Sequence, residues 1–76
     1  MQTVNIHICK AANGSTFVRV TRLGSKMVLI MPRFLVLRTQ GFSHIEQSKI
    51  LIMLAKEQDE LLKKAEKDEF EIEITI

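Results

Sequence analysis

His7 and Cys9 stand two residues apart in "NIHIC", a spacing that puts both side chains on one face of a strand and offers two ligands to a soft metal. A structural zinc site takes four ligands, and the only other histidine, His44, opens a helical stretch far along the chain. A metal site would need carboxylates or a second chain. The pair does not make a catalytic thiol either, because a cysteine nucleophile needs a base that is itself oriented by a third group. No Gly-rich phosphate loop, zincin helix, EF-hand spacing or internal repeat is present. The expectation is a non-enzyme with no metal, cofactor or small-molecule substrate.

What remains is charge. Eleven Lys/Arg against nine Asp/Glu give a net +2, yet every acid falls after residue 45, so residues 1–45 carry +6 and residues 46–76 carry −4. In the closing stretch "EFEIEITI", Glu69, Glu71 and Glu73 alternate with apolar residues, which on a strand makes a row of carboxylates on one face. Their simplest role is to pair across the sheet with Arg19 and His7, each exposed pair contributing about 0.2–1 kcal/mol. The bases of the first half, Lys10, Arg19, Arg22, Lys26, Arg33 and Arg38, are candidate phosphate contacts. With Phe17 they suggest the stacking-plus-cation surface of single-strand binders. Against this, one phenylalanine is a poor stacking platform, and a pI of 8.9 falls short of the roughly pI > 9 of nucleic-acid-binding domains.

The positions of these residues depend on the elements that carry them. Val4, Ile6 and Ile8 alternate with polar neighbours, as do Val18 and Val20, predicting strands at about 3–10 and 16–23. Between them a three-residue loop, Ala12-Asn13-Gly14, pairs Ile8 with Val18 and Ile6 with Val20, whereas a two-residue turn would mix apolar with polar. Gly24-Ser25 fits a type II′ turn that pairs Val20 with Leu29 and Val18 with Met31 in a third strand at about 26–31. Met27, Leu29 and Met31 then join the core face, and Val28 and Ile30 lie on the other face with Arg19 and Thr21.

Pro32 interrupts the run. Residues 32–42 read as a bent continuation, a further short strand or a turn of helix. Ser43 and Glu46 form a capping box, and Ile50, Leu51, Leu54, Leu61, Leu62 and Ala65 recur at helical spacing, predicting one helix at about 43–67. At ~1.5 Å per residue it would run about 36 Å, with its outward face laced by pairs such as Glu60 with Lys63 and Lys64. A strand at about 69–76, returned by a right-handed crossover parallel to the first or third strand, completes the expected fold. That fold is α+β, a small four-stranded mixed sheet (βββαβ) with one long amphipathic helix packed on one face.

Seventy-six residues allow one core. A single cysteine precludes an intrachain disulfide, and the N-terminal stretch shows no secretory pattern, so a cytoplasmic location is expected. Function follows from the uncovered face. Phe17, Arg19, Thr21, Val28 and Ile30 form the expected partner-binding or dimer face, since contiguous exposed apolar residues mark contacts. The chain thus reads as a small regulator or inhibitor that occludes another macromolecule, of a size and simplicity suited to a phage or mobile element, and as a homodimer. The alternative is nucleic-acid binding through the basic N-terminal hairpin. A third reading, phosphate mimicry by Glu71 and Glu73, needs a broad acidic surface that nine acids against eleven bases do not supply.

Overall fold

The computed structural model describes residues 3–10, 12–31, 33–67 and 69–76. Its elements are β1 (Thr3–Lys10), β2 (Thr16–Arg22), β3 (Ser25–Ile30), β4 (Leu35–Gln40), α1 (His44–Lys56), α2 (Gln58–Lys67) and β5 (Phe70–Thr75). The strands form one antiparallel sheet of order β4-β3-β2-β1-β5. The helices cover one face.

Period-2 alternation sets the core. Val4, Ile6, Ile8, Val18, Val20, Met27, Leu29 and Met31 are buried from the sheet side, and Phe42, Ile50, Leu54, Leu61 and Ala65 from the helix side. Removing each large aliphatic side chain from water stabilises the fold by about 1.5–3 kcal/mol. Ile6 pairs with Val20 and Ile8 with Val18, the expected register, and Gly14 of the connecting loop has φ +89°.

Three expectations are corrected. The sheet has five antiparallel strands rather than four mixed ones, because residues 35–40 pair with β3 as β4. With four strands before the helices, the chain enters α1 at the opposite end of the sheet from the one that three strands would give. It therefore returns as β5 antiparallel to β1, Ile6 against Ile72. The single long helix is instead two. Glu57 (φ −100°, ψ 11°) leaves helical geometry between α1 and α2, while hydrogen bonds from Glu57 N to Met53 O (3.3 Å) and Leu61 N to Glu57 O (2.9 Å) carry the chain across the break. Finally, the β2–β3 turn is centred on Leu23-Gly24, with Arg22 opposite Ser25 and Val18 opposite Leu29. The register is two residues away from the expected one, and an even shift leaves every side chain on its predicted face. Pro32 lies outside the described residues. Among the described residues no helix is long and apolar enough to cross a membrane.

One polar cluster ties the layers together. The Ser43 hydroxyl accepts from Glu46 N (3.2 Å), and the Glu46 carboxylate accepts from Ser43 N (2.9 Å), closing the predicted capping box. The same carboxylate takes a bidentate contact from Arg22, whose Nη2 lies 3.3 Å from Oε1. Arg22 also donates to Gly41 O (3.3 Å) and lies over the Phe42 ring, 4.7 Å from its centroid. At the far end, Lys10 Nζ donates to Glu66 O near the end of α2 (3.3 Å).

The Ser43 backbone N–H, with Arg22 beside it, holds the Glu46 carboxyl below the ordinary glutamate range despite some desolvation. A carboxyl lowered on folding adds stability above its unfolded pKa, and that increment is lost as pH falls through the folded one. Thermal melts of the wild type should therefore weaken on acidification through and below pH ~4.5, with Glu46→Gln destabilised at neutral pH and showing a shallower acid dependence. Parallel pH profiles for the two proteins would contradict this assignment.

Candidate functional site

The face of the sheet away from the helices is built by the odd-numbered residues of β1, β2 and β5 and the even-numbered residues of β3. Pairing lines them up in rows across the strands. One row is Cys9, Phe17, Ile30 and Leu35, apolar across four strands. The next is Glu71, His7, Arg19, Val28 and Arg38. The third is Glu73, Asn5, Thr21, Lys26 and Gln40.

All five residues of the expected contact face, Phe17, Arg19, Thr21, Val28 and Ile30, thus lie together. Residues 33–40 do not fold back over them, because β4 lies in the sheet plane and extends the same face with Leu35, 61% exposed. A bulge between the Val28–Arg38 and Leu29–Val36 pairs places the extra residue Leu37, 53% exposed, at this edge. Sequence reasoning missed Leu35 and Leu37 because the bulge breaks the alternation that would have announced a strand.

The six candidate phosphate contacts do not form one surface. Arg19, Lys26 and Arg38 share the outer face. Lys10 and Arg22 share the parity of the core residues, so they point to the helix side and are engaged with Glu66 and Glu46. Arg33 sits in the β3–β4 connection, beside Phe34, whose positive φ of 52° accompanies packing against the core.

Acid and base are separated across the outer face. His7 Nε2 is 3.7 Å from Glu69 Oε2, so one of the expected cross-strand contacts involves Glu69. Among the described residues no ion pair joins Glu71 or Glu73 to Arg19, Lys26 or Arg38. Glu71 and Arg38 stand on opposite edge strands, about 19 Å apart at ~4.8 Å per strand, beyond the combined reach of their side chains. His44 is exposed at the start of α1, away from His7 and Cys9, and among the described residues no three His, Cys, Asp or Glu gather as metal ligands.

No family model, no curated protein and no solved structure matches this chain. The site therefore rests on its own geometry. Among the described residues, other apolar features compete with it. A depression between the α1–α2 junction and β5, lined by Ile6, Met53, Leu54, Leu61, Ile72 and Ile74, has a cavity volume of only about 10 Å³, far below the ~300–1,000 Å³ of small-molecule sites. On α1, Ile45 (71% exposed) and Ile52 (59%) are seven residues apart with the exposed Ser48 and Lys49 between them. Scattered surface apolar residues are ordinary, whereas a contiguous row is not.

Proposed function

We propose that the protein is a non-enzymatic interaction protein, a small regulator or inhibitor that lays its outer sheet face against another protein and occludes the surface it covers. The observation that carries this reading is the apolar row Cys9-Phe17-Ile30-Leu35, half-buried except for the exposed Leu35 and backed by the half-buried Val28, on a face that the helices leave open. Arg19, Lys26 and Arg38 around it add steering and specificity, since such rim charges act chiefly on the association rate.

Gathering these three cations beside Phe17 also favours a second reading, binding to single-stranded nucleic acid. The protein reading is preferred because Glu71 and Glu73 stand on the same face and repel phosphate, and because two of the six candidate cations are engaged in the helix layer. Titration into labelled single- and double-stranded DNA and RNA separates the two. With three phosphate contacts, affinity for a single strand would fall about 20-fold between about 50 and 200 mM salt. The protein reading predicts no micromolar binding at the lower salt. Micromolar binding that falls away with salt and is lost in Arg19→Glu would overturn it.

A further inference from the structure

The outer face carries its acids and its outermost base on opposite edges, with Glu71 and Arg38 too far apart to pair within one copy. Glu71 and Glu73 line the β5 edge, Arg38 stands on the β4 edge, and Arg19 and Lys26 lie towards it, with the apolar row alongside. Resting on the reading of this face as a protein contact, we propose that its occupant is a second copy of the chain, stacked face to face about a two-fold axis parallel to the strands. Such an axis inverts the order of strands while preserving the rows. The acidic edge of one copy then meets the basic edge of the other, twice over by symmetry.

An axis passing between β2 and β3 lays Phe17 on Ile30 of the second copy and Cys9 on Leu35 of the second copy. It sets Arg19 over Val28 rather than over its own symmetry mate, and places Arg38 over His7 of the second copy with Glu71 one strand to the side. Two sheets packed this way lie about 10 Å apart with strands roughly aligned. The alternative of joining β5 edges in a continuous sheet opposes glutamates to glutamates, since an antiparallel pair centred on Ile72 sets Glu71 against Glu73. The face is roughly 20 Å on a side, smaller than the about 800 Å² per partner of a standard interface. An interface this small falls in the class of weak, transient contacts.

Sedimentation equilibrium over about 1–500 µM, a range chosen for an interface below standard size, tests this directly. The wild type should dimerise, and Ile30→Glu, Arg38→Glu and Glu71→Arg should each be monomeric. Mixing Arg38→Glu with Glu71→Arg should restore dimers at least tenfold tighter than either forms alone, because each mixed dimer regains both opposite-charge pairs. A wild type that stays monomeric at the highest concentration overturns the two-fold dimer while leaving the sheet face available to a different protein. A dimer indifferent to Ile30→Glu overturns both the inference and the reading on which it rests. Dimers lost in all single variants but not restored by mixing overturn the axis. Circular dichroism of each variant separates loss of assembly from loss of folding.

Discussion

Ile6→Ala should remove about 3 kcal/mol of stability, within the 2–5 kcal/mol typical of emptying a buried isoleucine site. Ile6 is fully buried, faces Val20 on one side and Ile72 on the other, and lines with Leu54 and Leu61 the seam where the helices meet β1 and β5. Truncating it opens a void at a point touched by three strands and both helices, where relaxation of any one element disturbs the others. At ~0.05–0.15 kcal/mol per residue, the whole chain has about 4–11 kcal/mol in hand, so the loss is a large share of the total. Urea unfolding provides the measurement. Ile52→Ala, on the exposed side of α1, should stay within about 0.5 kcal/mol of the wild type. A loss under about 1 kcal/mol for Ile6→Ala would mean that the helices do not seat on β1 as described.

Gly41→Ala should cost nearly as much without removing any atom. Gly41 has φ +84°, and an added Cβ would lie 2.6 Å from Ser25 Oγ, 2.9 Å from Gly24 O and 3.0 Å from Ser25 Cα. Two of these are backbone atoms of the β2–β3 turn. The turn cannot retreat without stretching the Ser25 Oγ to Gly41 O bond (3.1 Å) and the Arg22 contacts to Glu46 and Gly41. Left-handed strain of about 1–2 kcal/mol and overpacking of about 1–3 kcal/mol together predict a loss of roughly 2–5 kcal/mol. Gly14 supplies the control: its φ is also positive, but an added Cβ meets nothing within 4 Å, so Gly14→Ala should show the conformational part alone. Equal losses at the two positions would contradict the tight apposition of the β4–α1 junction and the β2–β3 turn.

The parts of the fold legible in the sequence are those where one rule acts alone. Alternation in β1, β2, β3 and β5 assigned each side chain its face, and the capping box at Ser43 and Glu46 marked the start of α1. Even the turn expected at Gly24-Ser25 and found at Leu23-Gly24 did no harm to the faces, because a slip of two residues preserves parity. What was not legible came from competing demands on one segment. In "RFLVLRTQ", Phe34 and Val36 turn towards the core, Leu35 points away and Leu37 is the bulge residue, so no period of two survives. Missing that strand also reversed the direction assigned to β5. The break at Glu57 carries neither Pro nor Gly, and the apolar spacing from Ile50 to Ala65 runs through it unchanged. For the site, parity gathered Phe17, Arg19, Thr21, Val28 and Ile30 correctly onto one face. Lys10 and Arg22 were grouped by charge, though their even numbers already aligned them with Ile8 and Val20.

Whether the outer sheet face meets a second protein is read residue by residue in a ¹⁵N-edited NMR dilution series. Between about 500 and 10 µM, a span suited to a micromolar dimer, the amides of Phe17, Val28, Ile30 and Leu35 should shift with concentration while those of Ile45 and Ile52 stay fixed. Shifts confined to α1 would contradict the sheet face as the contact surface, and a spectrum unchanged over the whole range would contradict the second copy as its occupant.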